Sequence, residues 1–401
     1  MESQGNISKQ ERIMKITVLL KKDGDDLKGE FLSGHNRLKY LIRLLPNVEF
    51  EPYILKEYDG FLRRLLKRTS KRSKTGVFTY DEINYKVIWI KSSFVDTILN
   101  MLWGEKYFLY KELQRFSKRL PPSDLIIAHS YYPGYVANRL SVKNGVPYTV
   151  TWHGSDIHSN PKRSSLLRRK TATIIEGAYI NYFVSRNLLS LSSYITEKGY
   201  KIVLYNGVNN EMFSHLEEKD KAALKQQYHI TTPLNMAFIG NLYPVKNVMV
   251  LPDVFSNVRA KYGEKIGFHI VGDGDLRKLM EEKCRDKSLK VRFWGNVQPE
   301  LIPGVINVMN LIVLPSLNEG LPLVATECMA CGTPLLGSDV GGIKEAVGEE
   351  FVIPLGDGFV DAFSKRACEI LSEHPAVVLK DQFLWENTSI VEKKSIDEII
   401  K

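Results

Sequence analysis

Short apolar runs rich in β-branched residues recur along the chain, and each is followed by a longer segment with helical period. This pattern predicts stacked βα units and parallel sheets. In the first half the runs include Ile16 to Leu20, Val87 to Ile90, Leu125 to Ala128, Tyr148 to Thr151, Ile180 to Val184 and Ile202 to Tyr205. In the second half they are Met236 to Ile239, Phe268 to Val271, Val291 to Trp294, Leu311 to Pro315, Pro334 to Gly337 and Phe351 to Ile353. Asn206-Gly207 makes a turn after a strand, and the polar, helix-forming stretch Asn209 to Tyr228 leads into a fresh strand series. A domain junction is expected there, giving an α/β chain with one domain over 14–208 and a second over 209–384. Met14-Lys15 opens the first strand directly, so residues 1–13 are expected to be an extension outside the fold. Open parallel sheets bind ligands at the carboxyl ends of their strands, so two facing sheets predict a site in the cleft between them.

With 401 residues, 44% of them hydrophobic, the chain can bury two ordinary cores. Disorder and small disulfide scaffolds are excluded. No stretch reaches the length of a membrane-spanning helix and the start carries no apolar signal core, so a cytosolic protein is expected. The four cysteines, Cys284, Cys328, Cys331 and Cys368, suit a reducing compartment. Cys328 and Cys331 share a helix face but have no second pair to complete a metal set, and read as small core residues.

The net charge of +9 is unevenly placed. Residues 1–208 carry 34 Lys and Arg against 19 Asp and Glu, and residues 209–401 carry 21 against 27. The first half therefore calls for an anionic partner. Its sharpest basic cluster spans 63–74, where Arg63, Arg64, Lys67 and Arg68 alternate with Leu62, Leu65 and Leu66. It is either an anionic membrane contact or a solvated helix face. Nucleic acid is not expected, because no aromatic and basic interleaving accompanies the cluster. Downstream, Leu99, Met101, Leu102, Trp103, Tyr107, Phe108 and Tyr110 could form one apolar helical face, and most such stripes are core.

The strongest chemical constellation is Leu314 to Glu327. A buried strand ends in a Pro-Ser turn, a carboxylate and a glycine follow, and Pro322 sits where a helix would begin. Backbone NH groups of Gly320, Leu321 and Leu323 would then form an anion site suited to a diphosphate. Glu327, one to two turns inside that helix, can reach a ribose diol, for which a carboxylate is a bidentate acceptor. Glu319 would face whatever hangs from the far side of the diphosphate. The plainer alternative is two glutamates favoured by a helix dipole.

Glu319 and Glu327, with seven residues between them and the sequence Glu-Gly-Leu-Pro-Leu, resemble the signature of glycosyltransferase family 4. These are retaining enzymes of the GT-B fold, in which two Rossmann-like domains face each other across a cleft, and the resemblance implies that 14–208 binds the acceptor and 209–384 the nucleotide sugar. Further matching segments occur in order: Thr151 to Asp156, Phe183 to Ser185, Asn206 to Val208 with Phe213, Gly240 through Lys246-Asn247, Val271 to Gly274 with Leu276-Arg277, Phe293 to Gly295, and Gly337-Ser338 to Gly341-Gly342. The resemblance runs from about Leu125 to Trp385.

The resemblance implies that Lys246 neutralises the donor diphosphate, a role suited to a compact ammonium on a flexible stem. It implies that His153 lies beside the transferred sugar, with Asp156 either in the site or capping a helix. Family members usually carry an arginine after the glycine of the Lys246 loop; here Gly240 is followed by Asn241, so Lys246, backbone NH groups or Arg277 would have to serve. The loop containing Gly272 and Gly274 is expected near the nucleoside, with Trp294, Gly295 and Val297 bordering the base. Gly34 is the best match to the glycines that approach the donor phosphates from the first domain. His129, ending its strand, reads either as facing an acceptor or as a hydrogen-bonded structural histidine. Residues 385–401 resemble the family's crossing helix that returns to the first domain.

The reading that follows is a retaining glycosyltransferase, expected in the cytoplasm and peripheral at the inner face of the cell membrane. It would move a sugar from a nucleoside diphosphate donor to a saccharide or lipid-linked acceptor in cell-surface polysaccharide or glycoconjugate synthesis. His153, Glu319 and Lys246 would carry catalysis. No acidic Asp-x-Asp cluster for a divalent cation is expected at a strand end, so neither metal nor cofactor is expected. The rival readings are a phosphorylase or epimerase on the same scaffold, and a noncatalytic partner subunit.

Overall fold

The computed structural model describes residues 12–22, 29–59, 76–103 and 106–400, and everything below concerns these. The expected extension 1–13 and the basic cluster 63–74 fall almost wholly outside them. The first domain holds eight strands: β1 Met14–Lys21, β2 Val48–Asp59, β3 Val77–Tyr80, β4 Ile83–Ser92, β5 Leu125–His129, β6 Tyr148–Trp152, β7 Ile180–Phe183 and β8 Lys201–Val203. Their order is β3-β4-β2-β1-β5-β6-β7-β8, and only the β3–β4 hairpin at the edge is antiparallel. The second domain holds β9 Leu234–Ile239, β10 Ile266–Val271, β11 Val291–Gly295, β12 Leu311–Leu314, β13 Leu335–Ser338 and β14 Val352–Ile353, ordered β11-β10-β9-β12-β13-β14 and all parallel.

Central strands such as β5, β6 and β12 are buried along their whole length, which is why they read as unbroken apolar runs. The apolar runs cited in the sequence do not include β2 and β3. Strand β2 alternates apolar with charged residues and carries Pro52, a residue normally excluded from a sheet interior, yet it pairs in parallel with both β1 and β4.

The last helix, Trp385–Ile400, leaves the second domain and packs on the first. Ile396 joins the core formed by β1 and the helix Gly29–Leu44, and Val208 donates its NH to Phe383 O at 2.8 Å. Gly207 lies beneath Trp385, where an added Cβ would come within 2.5 Å of the indole.

The stripe after β4 is less buried than most such stripes are. On the helix Phe94–Trp103 the residues Phe94, Val95, Ile98 and Met101 are exposed, as are Tyr107 and Phe108 at the start of the next helix. Only Tyr110, of the aromatics described there, is buried.

Candidate active site

Strand β6 delivers His153 to the carboxyl edge of the first sheet. The neighbouring strand β5 delivers His129 beside it, with the rings stacked 5.4 Å apart at 19° and Nδ1 of His129 3.1 Å from Nε2 of His153. Loss of solvation, with the Arg37 guanidinium nearby, lowers both: His153 falls to about 3, and His129 well below its ordinary value. Both imidazoles are therefore neutral at physiological pH. His129 is only 2% exposed and does not line the cleft, so it meets His153 instead of an acceptor.

From the second domain, β12 ends at Leu314 and its loop returns Glu319 towards Lys246, which closes the single turn Pro244–Lys246. Lys246 Nζ lies 2.6 Å from Glu319 Oε1, and Ser316 Oγ donates to the same oxygen at 2.6 Å. Gly320 then passes so close to the first domain that an added Cβ would stand 1.8 Å from His153 O. Only glycine fits between the two backbones. Pro322, extended, precedes the helix Leu323–Ala330, whose first NH groups are left without helical partners.

Glu327 lies on the second turn of that helix. Its carboxylate makes no hydrogen bond or ion pair among the described residues, and loss of solvation raises it to about 7. It lines a cleft of roughly 430 Å³ together with His153, Lys246, Asn241, Glu319 and Gly320. Gly240, Val297, Leu321 and Leu323 complete that wall.

Other expected residues take different places. Gly34 is no loop residue but lies inside the helix Gly29–Leu44, its Cα against Leu20 and His129; Gly29 and Glu30, at the start of the same helix, reach the cleft instead. The polar run before Gly29 gave no marker of where the helix begins. Gly272 and Gly274 approach protein backbone and not the cleft: a Cβ on Gly272, whose φ is +123°, would stand 2.0 Å from Gly240 O, and one on Gly274 2.6 Å from Leu242 O. They hold the Gly240 loop in place. Trp294 turns away, with Nε1 3.3 Å from His269 Nδ1 and its ring against Tyr228. Arg277 is held by Asp273 at 3.0 Å and Glu281 at 2.8 Å and does not line the cleft.

An Asp-x-Asp triplet does follow a strand, at Asp273-Gly274-Asp275, contrary to the sequence reading. Asp273 is committed to Arg277 and to Gly274 NH, and no group of three metal-ligating side chains occurs among the described residues. Asp156 accepts from Gly154 NH at 3.1 Å, and it too borders the cleft. Asn206, which receives the Ser33 hydroxyl at 2.5 Å, was legible only as part of a motif. Glu30 carried no signal beyond being an acid in a first helical turn.

The two domains touch at this edge. Glu345 Oε2 and Oε1 accept from the NH groups of Arg186 and Asn187 at 2.9 and 3.1 Å, and Tyr205 OH donates to Glu345 Oε2 at 3.0 Å. Asn318 Nδ2 lies 2.8 Å from His158 Nδ1.

Residues 233–373 match the family described as Glycosyl transferases group 1. An uncharacterized glycosyltransferase of Methanocaldococcus jannaschii is 28% identical over 316 residues, 74% of this chain and 80% of that protein. The UDP-Gal:alpha-D-GlcNAc-diphosphoundecaprenol alpha-1,3-galactosyltransferase of Escherichia coli is 26% identical over 260 residues, 59% of this chain and 62% of that one. Among solved structures, Anabaena HepE in complex with UDP superposes with a TM-score of 0.66 at 18% identity, over 96% of this chain and 100% of that chain. The chain thus has the two-domain GT-B fold of glycosyltransferases, and its second domain is similar in sequence to glycosyl transferases group 1.

Proposed function

We propose that the protein is a retaining glycosyltransferase of the family 4 type, with a nucleoside diphosphate sugar as donor and a hydroxyl of a saccharide or lipid-linked molecule as acceptor. The observation that carries this reading is the convergence, in one cleft, of His153 from the first domain with Lys246, Glu319, Gly320 and Glu327 from the second.

Each group has a task that its surroundings suit. Lys246 has three donors, so it can keep Glu319 and still donate to a phosphate oxygen of the leaving diphosphate. The helix start at Leu323 adds backbone donors for the same charge. Glu327 receives the ribose hydroxyls. His153, neutral, donates or accepts at the donor sugar without adding a charge. The acceptor oxygen forms a bond to the anomeric carbon as the bond from that carbon to the diphosphate oxygen breaks, and the acceptor proton leaves with the diphosphate. Catalysis is therefore positioning and leaving-group stabilisation, and the reading assigns no step to a metal or cofactor.

The exposed Phe94, Val95, Ile98 and Met101, with Lys91 and Lys111 nearby, give the first domain an apolar face with basic neighbours suited to an anionic membrane. No helix among the described residues is long and apolar enough to cross one. A peripheral place at the cytoplasmic face, serving cell-surface glycan synthesis, fits this surface.

The test is thermal unfolding of the parent and Glu327→Ala against UDP, GDP, ADP and CMP. Stabilisation of the parent by one nucleoside diphosphate, of about 2.7 kcal/mol at a hundredfold excess over Kd, should be largely lost in the variant. Equal nucleotide affinity in the two proteins would overturn the placement of the ribose. No shift with any nucleotide would favour a noncatalytic partner.

A further inference from the structure

The contact between His129 and His153 has a geometry that goes further than packing. The rings are parallel to within 19° but so far offset that they meet edge to edge: the 5.4 Å between centroids is the 3.1 Å between nitrogens plus one ring radius on either side. Nδ1 of His129 therefore points along the ring plane at Nε2 of His153, the alignment of an N–H···N hydrogen bond. His129 is itself held rigidly. The helix Gly29–Leu44 passes so close to it that a Cβ on Gly34 would stand 3.2 Å from His129 Nδ1 and 2.7 Å from Leu20. His153, by contrast, has no other side-chain hydrogen bond among the described residues, and it lines the donor cleft.

An imidazole offers two different nitrogens, and which of them carries the proton is set by the hydrogen bond that the other makes. Both rings are neutral, so each holds one N–H and one lone pair. An in-line bond between the inner nitrogens needs a proton on one of them and a lone pair on the other. Of the four tautomer pairings two are thereby excluded, and in both that remain Nδ1 of His153 is the nitrogen left for the cleft. The torsion that turns a histidine ring is broad and two-fold, so His153 without that partner turns over and exchanges its nitrogen and carbon edges. Packing does not call for a histidine at 129. A leucine of similar size would fill the space against Gly34 and Leu20 without the cost of burying a polar ring.

We propose that His129 is a positioning residue of the transfer reaction: it holds His153 in one ring orientation by binding Nε2, so that Nδ1 alone is presented to the donor sugar. This role rests on the transferase reading above, since the reaction is what the fixed nitrogen serves. A hydroxyl of the donor sugar then selects between the two remaining pairings. Where the hydroxyl accepts, His153 carries its proton on Nδ1 and His129 donates to Nε2. Where the hydroxyl donates, His153 donates from Nε2 to His129, and each ring carries its proton on the nitrogen farther from the cleft. The contact adapts without rotating a ring or creating a charge.

The experiment compares parent, His129→Asn, His129→Gln and His129→Leu. An asparagine amide reaches the place of Nδ1 and a glutamine amide that of Nε2, so the two separate positioning from polarity and size. The first readout is nitrogen-15 NMR of protein labelled at histidine, with His153→Gln to assign the signals. The parent should show a coupling between ring nitrogens of His129 and His153 across the hydrogen bond, and its absence would overturn the assignment. The second readout is release of nucleoside diphosphate from UDP-glucose, UDP-galactose, UDP-N-acetylglucosamine and GDP-mannose, with water in place of the acceptor. His129→Leu and His129→Gln should lower kcat at least tenfold with the donor KM within twofold of the parent, and His129→Asn should turn over at least fivefold faster than either. Parental kcat in His129→Leu, or equal kcat in the asparagine and glutamine variants, would overturn the role; the latter comparison stands even if the leucine variant does not fold. Nucleotide affinity reads the transferase proposal separately. It should be unchanged in all three variants of His129, and no binding by the parent would strike that reading while the coupling still reads the contact.

Discussion

At the residue scale the site is built from groups whose ordinary chemistry has been displaced by burial. Glu327 shows this most plainly. Its carboxyl, usually near 4.5, is raised to about 7 by loss of solvation alone. A carboxyl raised in the folded state binds more protons there than in the unfolded chain, so its ionisation lowers stability as pH rises from about 4.5 to 7. Glu327→Gln should therefore raise the unfolding temperature more at pH 8 than at pH 5, checked by calorimetry at both. The same variant should bind nucleotide more weakly, because an amide accepts only at its single oxygen. Loss of solvation acts in the same sense on His153, which it keeps neutral. His153→Ala is expected to lower kcat by ten- to a thousandfold with little change in donor Kd, measured by steady-state kinetics beside equilibrium binding. The types of these residues, and the spacing of Glu319 from Glu327, were legible in the sequence. That His129 serves His153 was not, because the contact arises only when β5 and β6 pair.

Elements carry the geometry between residues. Strands with unbroken apolar runs were legible because burial on both faces forbids polar alternation. Strand β2 was harder to read because its charged residues lie in a mixed strand near the sheet edge, where Glu51 meets Tyr53 and Lys86. Glycines show the same division. Gly34 matched a loop motif but is a helix residue, whereas Gly320 has its role from contact with another domain. Gly320→Ala would place a methyl group 1.8 Å from His153 O, so the loop and the first domain must separate. The expected outcome is a protein whose domains still fold, with far-ultraviolet dichroism unchanged and turnover reduced at least a hundredfold.

At the scale of the whole molecule, the two sheets are joined by the last helix as well as by the cleft. Arg37, 1% exposed, donates to Glu392 Oε2 at 3.1 Å and to the carbonyls of Leu204 and Tyr205, and its guanidinium lies over Trp385. One arginine of the first domain thus fixes both the end of β8's loop and the returning helix. Removing one member of a buried pair leaves an uncompensated charge, so Glu392→Ala should lower stability by about 3–5 kcal/mol in urea unfolding. The double variant Arg37→Met, Glu392→Leu should recover much of that loss. The order of strands and helices, the split of charge between halves, and the carboxylates at a helix start were determined by the sequence itself, since each is a local or compositional property. Tertiary structure alone decided which strand ends meet and which glycines touch another domain. It also decided which carboxylates lose water. Those properties depend on residues from 24 to more than a hundred positions apart coming within a few ångströms, and no local pattern of polarity records that distance.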